Sequence, residues 1–534
     1  MNLLPLLIPA LAVGLTSSRA AWRDPALSRS QQFGLAALLT LGFTLALSGA
    51  AALWLEQVGD PWNAARLTPA LALHYGFPLY YPLEHGPVLS TVVGPVAFLA
   101  YWPIGFLPAA PNLLILAASA LNLLAFALIV HRLLRAVSPD PLVRALATLV
   151  ALQLAQLFPP LRYSLFCIHA DAPALALGAA GLLLLQSPAP QLGWRAALLT
   201  ALCFSLATWA KQSLAPIFPA AILLLALRHD RTSVLRFVSA SAAVGLLVSF
   251  FFVAWLGFEN LRLNMFAVPA HHPWLQMSLS TGEVFPRVSA VGAAAHVKVL
   301  IAAMLQIVRA HWPLFALFAF VLTTRWLRPP TDAARWPRSP WAGFALAAVA
   351  LLPTAATGRV KLGGEVNHES FSVFFLALAF VGWLADTNAP GPGSPQRWRA
   401  LAVALVLAAV TAPRLTEFPS WSTLRTNQND TALRYDLAHP GRVYFPWNPL
   451  TPLLSRGKLE HFDYGVFDRN LGGATVTPAH LAEGLPAPRP IIASYVAHHD
   501  YILRKYFPDY VPLTPDPALP DWKLYGPPPV SPAR

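Results

Sequence analysis

The sequence predicts an all-α polytopic membrane protein of about eleven transmembrane helices, with a small extracytoplasmic α/β domain at its C-terminal end. Three observations predict it. Hydrophobic residues make up 56% of the chain and charged residues only 11%, where a soluble globular domain carries about 25% charged residues. Apolar runs close to the length of a membrane span recur between residues 33 and 413, and the mean hydropathy is +0.53. Finally, the charges sort to alternate sides of those runs. Arg19/Arg23/Arg29, His131/Arg132/Arg135/Arg144, Arg228/Arg231/Arg236, Arg325/Arg328/Arg335/Arg338 and Arg397/Arg399 read as cytoplasmic anchors, as the positive-inside rule requires. The other side then receives Asp60, Glu84, His85, Asp171, Lys211, residues 259–298, residues 359–369 and the C-terminal tail. Ionisable groups at membrane depth are costly and by default mark a functional site.

The spanning runs are residues 33–55, 112–130, 142–158, 172–186, 196–210, 213–227, 234–257, 313–324, 342–358, 371–386 and 400–413. Several fall below the roughly 20 residues of a full span, so their ends borrow polar flanks. The N-terminus lies inside and the C-terminus outside. Residues 2–16 are apolar but short, and Arg19 stands where a cleaved signal peptide needs small residues; they read as an extra short or interfacial helix. Residues 88–107 are apolar but broken by Gly94, Pro95, Pro103 and Pro108. Counting them as a crossing would put Asp60 and Arg132/Arg135 on one side, so they read as a juxtamembrane or re-entrant segment.

Residues 1–413 thus form the transmembrane domain, with a first outer loop at 56–111, and 414–534 the extracytoplasmic domain. The latter has no spanning run. It holds β-rich strings at 442–445 and 491–495 with helix-like pieces at 478–484 and 498–506, an α/β pattern. Its Pro-rich end after Pro512 reads as a loose tail. Asn429-Asp430-Thr431 matches a glycosylation sequon.

A net charge of +13 suits anchoring beside anionic headgroups, and nucleic acid is not an expected partner. Two cysteines, Cys167 and Cys203, supply neither a disulfide framework nor metal-ligand spacing. Adjacent His271-His272 lack the spacing of a zinc site. No Walker loop, G-x-G-x-x-G, D-x-D or G-x-S-x-G string occurs, which removes soluble-nucleotide and serine-hydrolase chemistry.

The first outer loop opens with Gly59-Asp60-Pro61-Trp62-Asn63-Ala64-Ala65-Arg66, continues through an amphipathic stretch at 68–75, and reaches Gly76-Phe77-Pro78-Leu79-Tyr80-Tyr81. An acid at the outer end of a transmembrane helix, followed by such a stretch and a Gly/Tyr/Pro turn, resembles the first loop of the GT-C superfamily. These are integral-membrane glycosyltransferases that use polyprenyl-phosphate sugars, such as protein O-mannosyltransferases and lipid A aminoarabinose transferases. Asp60, Ala65, Arg66, Leu67, Gly76 and Tyr80 match; Val93-Gly94-Pro95 departs from the family's Tyr-Gly-Pro stretch. A second loop offers Arg162, Tyr163, His169 and Asp171, similar to the superfamily's second acidic site. Asp171 also fits a plain helix cap stabilised by the dipole, as Asp60 does.

Lys211-Gln212 joins two apolar runs with almost no loop, a fixed cation that suits either anchoring or a lipid-linked phosphate. The string Arg359-Val360-Lys361-Leu362-Gly363-Gly364-Glu365-Val366-Asn367-His368-Glu369 is similar to a K-x-G-G-x-x-N-type loop of some bacterial members, and consecutive N–H groups at Gly-Gly suit an anion nest. The long loop with His271, His272, Glu283, Arg287 and Lys298 corresponds to the relatives' substrate-gating loop.

The resemblance implies a GT-C-like enzyme of the bacterial cytoplasmic membrane, moving a sugar from a polyprenyl-phosphate donor to a lipid, glycan or protein acceptor on the outer face, with inversion. Asp60 and Asp171 are the expected catalytic acids. Arg66, Glu84, His85, Arg162, Lys211 and Gln212 are expected to bind substrate, as are Arg359, Lys361, Glu365, Asn367 and His368. No cofactor is required, and a divalent cation held by Asp60, Asp171 and Glu365 is optional. A transporter or lipid flippase is the alternative, followed by a glycan ligase or polymerase and a non-catalytic scaffold.

Overall fold

The computed structural model describes residues 4–25, 27–186, 191–274, 276–277, 284–285, 292–326, 339–361, 364, 366–386, 395–411, 427–495 and 500–528. The predicted domain boundary at 413/414, Glu283, Arg287 and Glu365 lie outside the described residues.

The apolar segment at the N-terminus is a full helix, α1 (Leu4–Trp22), folded back along α2 (Arg29–Leu55). Ser28 and Gln31 start α2 with a reciprocal capping box, which satisfies two N–H groups that the helix leaves open. Next come α3 (Pro61–Ala72), α4 (Pro95–Leu99), α5 (Pro111–Val137), α6 (Pro141–Leu157), α7 (Pro159–Phe166), α8 (Asp171–Leu184) and α9 (Trp194–Ala210). Proline stands at the first position of α3 to α7, where its missing N–H has no intrahelical use. The series continues with α10 (Ile217–Arg228), α11 (Arg231–Leu256), α12 (Phe258–Leu261), α13 (Val268–His271), α14 (Ala293–Ala310), α15 (Trp312–Trp326), α16 (Pro340–Arg359), α17 (Ser370–Ala385) and α18 (Pro395–Thr411).

Among the described residues, six helices are long and apolar enough to cross a membrane: Arg29–Gly59, Pro111–Val137, Arg231–Leu256, Ala293–Ala310, Pro340–Arg359 and Val366–Ala385. A seventh results if α6 and α7, bent by 96° at their junction, form one span. The predicted apolar runs do fall on helices, but α8, α9 and α10 stop short of span length. At 1.5 Å per residue, the 14 residues of α8 rise only about 21 Å, against a hydrocarbon core of about 30 Å. Of the six, α17 is innermost, with 89% of its apolar window buried, while α11 lies at the rim with 17%. The rim helix turns Leu246, Leu247 and Phe250 outward, as a lipid-facing helix does.

The bundle has two polar ends. At one, Arg397 bridges Asp24 (2.6 Å) and Asp140 (2.8 Å), Arg228 donates to the Ser339 carbonyl (2.5 Å) and Arg236 to that of Leu192 (3.1 Å). Members of two of the predicted anchor clusters therefore make their contacts at helix ends. The opposite end collects Asp60, Arg66, Asp171, Lys211, Arg359 and Glu369. Helix α14 belongs to this second end, in a region read from sequence as loop. Trp274 pairs with Lys361 and stacks edge-on with His296 near the start of α14, and His311 at its end meets Glu369 (2.7 Å). The end of α14 thus meets the α16–α17 turn directly, and its start is linked to that turn through Trp274.

The C-terminal part builds α19 (Gln428–Ala438), α20 (Leu450–Arg456), α21 (Asp463–Leu471), α22 (Pro478–Glu483) and α23 (Tyr501–Tyr506) around a sheet. A two-stranded ribbon, β1 (Gln276–Met277) and β2 (Val284–Phe285), precedes it. The sheet contains β3 (Val443–Tyr444), β4 (Ile491–Ser494), β5 (Val511–Pro512) and β6 (Lys523–Gly526) in the order β3-β4-β6-β5; β3 and β4 are parallel and the other pairs antiparallel. The expected loose tail after Pro512 is therefore corrected. β6 is an inner strand, and Leu519, Trp522 and Leu524 fill the core beside Val443 and Phe445, so apolar residues between the prolines hold it in place.

This part is fastened to the first loop rather than tethered to it. Asn427 and Asn429 both donate to the Val58 carbonyl (3.0 and 2.8 Å), and Gln428 donates to that of Gly59 (2.9 Å). Phe462 N–H donates to the Val88 carbonyl (2.8 Å) while Val88 N–H donates to His461 Nδ1 (3.0 Å). Trp62, Ala65 and Leu89 pack with Trp447 and Phe462. Asn429, the sequon asparagine, is buried in this joint.

Candidate active site

Three turns, helix α3, the segment 92–98 and one helix of the C-terminal part meet around a cavity of about 610 Å³ at the second polar end. The first wall comes from α3. Asp60 caps that helix by accepting from Trp62 N–H (2.9 Å), and just over one turn later Arg66 enters the cavity wall. Its guanidinium lies 4.7 Å from the centre of the Trp62 ring and 5.3 Å from that of Tyr163, within cation–π range. Among the described residues its Nη1 is buried without a hydrogen-bond partner.

The α7–α8 turn forms the second wall. Asn63 Oδ1 accepts from Ile168 N–H (2.8 Å), Asn122 donates to the Cys167 carbonyl (2.9 Å) and Tyr101 donates to that of His169 (3.0 Å). Held this way, the turn presents His169 to the cavity and starts α8 at Asp171. The Asp171 side chain is 0% exposed, with Oδ2 2.9 Å from His169 Nδ1 and Oδ1 2.5 Å from Lys211 Nζ. A buried carboxylate survives only when paired and hydrogen-bonded. Here it fixes both the imidazole and the ammonium.

Lys211 and Gln212 follow α9 directly. Gly94 N–H donates to the Ala210 carbonyl (3.1 Å), and any side chain at Gly94 would run into the Trp209 carbonyl, so residues 92–98 press against the end of α9. The broken apolar stretch at 88–107 therefore runs along the site, with Val93, Ala97 and Phe98 in its lining. The Gln212 amide donates to the Met265 carbonyl (2.7 Å) and its Oε1 is buried without a hydrogen bond among the described residues.

The α16–α17 turn supplies Lys361, Asn367 and His368. Lys361 Nζ donates to the Pro269 carbonyl (2.7 Å); His368 packs on Gly358, where a Cβ would overlap the ring. Arg359 is spent on the turn itself, bonded to Glu369 (3.1 Å) and the Gly364 carbonyl (2.8 Å). Helix α21 adds Tyr464 and Asp468. Burial pushes the Asp468 carboxyl up to about 8, and its Oδ1 lies 3.9 Å from His272 Nε2.

Of the residues expected from sequence, Arg66, Lys211, Gln212, Lys361, Asn367 and His368 line one cavity. Asp171 stands behind Lys211 with both oxygens engaged. Asp60 is placed at the α3 cap rather than in the lining, and Arg359 in the turn. Arg162 is exposed on α7, and Glu84 and His85 are on the outer surface, where His85 meets Glu483 (3.0 Å). Arg162, Glu84 and His85 face solvent, while Asp60 and Arg359 brace α3 and the α16–α17 turn that carry the lining. Trp62, Tyr101, Tyr464 and Asp468 went unrecognised. Aromatics among 17 Trp and 13 Tyr carry no local signal, and Asp468 sits in a part read as a separate domain. Among the described residues no three His, Cys, Asp or Glu side chains gather as a metal-binding set.

No family model, no curated protein and no solved structure matches this chain.

Proposed function

We propose that the chain is a membrane glycosyltransferase of GT-C type, moving a sugar from a polyprenyl-phosphate donor to a hydroxyl of a lipid, glycan or protein. The observation that carries this reading is the convergence of Arg66, Lys211 and Lys361, from three separate segments, on one aromatic-walled cavity. An open guanidinium donor beside two ammonium groups suits a phosphate; Trp62, Tyr101 and Tyr464 suit the faces of a sugar ring. By the positive-inside rule the cavity opens on the extracytoplasmic face, in bacteria that of the cytoplasmic membrane.

In the proposed reaction the acceptor oxygen forms a bond to the anomeric carbon as the bond from that carbon to the phosphate oxygen breaks. Its electron pair leaves with the polyprenyl phosphate, and in-line displacement inverts the centre. Arg66, Lys211 and Lys361 stabilise the departing charge. A divalent cation is an optional addition, since two or three cations neutralise a monophosphate. A flippase needs a polar path through the midplane, whereas this cavity lies at helix ends, which favours the enzyme.

The test is reconstitution of the purified protein in liposomes with radiolabelled polyprenyl-phosphate sugars. Consumption of one donor with release of polyprenyl phosphate is expected. Movement of intact donor between leaflets without cleavage would overturn the reading in favour of a flippase.

A further inference from the structure

We infer that Asp468, contributed by the C-terminal part, is the base that accepts the proton of the acceptor hydroxyl, with His272 facing it across the cavity wall. The inference rests on the glycosyltransferase reading and names the acceptor side of that same site. The cations of the cavity come from the membrane bundle. Asp171 is paired with Lys211 and lies against His169, and Asp60 accepts from its own helix. Among the described residues, Asp468 is the carboxylate that lines the cavity, with no cation at ion-pair distance other than His272, at 3.9 Å.

Its surroundings leave that role open. The next residue, Arg469, points away, donating to the carbonyls of Tyr81 and Pro82 (3.2 Å each), so it does not quench the carboxylate. Tyr464 lines the cavity one turn earlier on the same helix, Lys361 and His368 line it from the α16–α17 turn, and Arg66 from α3. On the far face of α21, Asp463 accepts from the N–H groups of Tyr501 and Ile502 (3.2 and 2.8 Å), and Lys505 is bound to Tyr501 (3.0 Å). Those groups engage one another and not the cavity.

In the step, the acceptor O–H proton passes to the Asp468 carboxylate while the acceptor oxygen bonds to the anomeric carbon. The proton then returns to water after the polyprenyl phosphate departs. Burial holds the carboxyl at about 8, which makes it a strong base for its type, active in the fraction of molecules where it is ionised. The rate with saturating donor therefore rises with pH toward 8.

The experiment compares wild type, Asp468→Asn, Asp468→Glu and His272→Gln in liposomes, reading donor binding, turnover and the pH profile separately. Asp468→Asn mimics the protonated acid that burial favours, so it folds and melts at or above the wild-type temperature. It is expected to bind donor normally, to lose turnover by about 10²–10⁴-fold and to lose the rising alkaline limb. Asp468→Glu should recover part of the rate with the limb intact. His272→Gln should retain the limb and shift its midpoint. Asp468→Asn turning over at the wild-type rate, or keeping the limb, overturns the inference while leaving the glycosyltransferase reading standing. Failure of wild type to bind or cleave any polyprenyl-phosphate sugar overturns both.

Discussion

Arg66 rests on two ring faces with one N–H edge open, and that posture makes it more demanding than a simple cation. Replacing it by Lys keeps the charge but loses the flat fork and the stacking. Each cation–π contact contributes roughly 0.5–2 kcal/mol, so Arg66→Lys should raise the donor Kd and lower kcat, for a loss of about tenfold or more in kcat/KM. Both quantities fall because the phosphate is charged before and during the reaction. Asp60 behaves differently. Asparagine caps helices as well as aspartate does, so Asp60→Asn should leave transfer close to wild type, whereas Asp60→Ala should cost about 0.5–2 kcal/mol of stability. Loss of transfer in a folded Asp60→Asn protein would return this residue to the chemistry. Lys211→Met strands the Asp171 carboxylate in a dry setting, at a cost of about 3–5 kcal/mol. Adding Asp171→Asn should restore most of it, a coupling that unfolding measurements on the two single variants and the pair would show. The site residues legible in the sequence were those carrying charge or Gly-Gly at the end of an apolar run. Lys211 and Lys361 announce themselves that way, whereas Arg66 was marked only by the first loop's resemblance to a known family. Tyr101 and Asp468 do not, because an aromatic in an apolar run and an acid in a polar segment are each ordinary where they stand.

The elements around the cavity are positioned by close approaches that leave no slack. A methyl group at Gly94 would meet the Trp209 carbonyl, and a backbone carbonyl has no rotamer by which to move aside. Gly94→Ala should therefore push residues 92–98 off the end of α9, displace Lys211 and lower donor affinity along with thermal stability. At α21 the argument concerns protons. Asp463 and Asp468 are each pushed up to about 8 by burial, above the ordinary aspartate value of 3.8. A raised carboxyl binds more protons folded than unfolded, so its contribution is full below the unfolded value and is lost as pH rises through the folded one. The C-terminal part should thus lose stability between pH about 4 and 8, a slope that Asp463→Asn and Asp468→Asn flatten, followed by melting or by hydrogen exchange in α21. The helices themselves were readable from apolar runs and N-terminal prolines. Helix α14 and strand β6 were not. The apolar face of α14 is diluted by His296, Lys298 and Arg309, and β6 is a four-residue strand among prolines, too short for alternation to show.

At the scale of the whole molecule, the sorting of charge in the sequence corresponds to two ends of one bundle. Reporter fusions after Arg29, Arg144 and Arg236 should report one side of the membrane, and those after Glu84, Asn264 and Arg456 the other. Glu84 and Arg144 on the same side would break the arrangement. The span count was poorly legible, because helices of 12–17 residues resemble spans in composition while lacking the length.

The joint between the first loop and residues 427–429 has a consequence for biosynthesis. The donors at Asn427 and Gln428 stand 369 positions after the carbonyls they hold. At about 5–20 residues per second, a nascent chain presents the loop for roughly 20–70 s before its clasp leaves the ribosome. During that interval Val58 and Gly59 have only water or a helper protein as partners, and Trp62 lacks the Trp447 and Phe462 rings that later enclose it. Completion of the cavity is therefore a post-insertion event, set by delivery of the last segment to the correct side. A ribosome stalled before Asn427 would leave a bundle that is threaded through the lipid yet lacks one wall of its cavity.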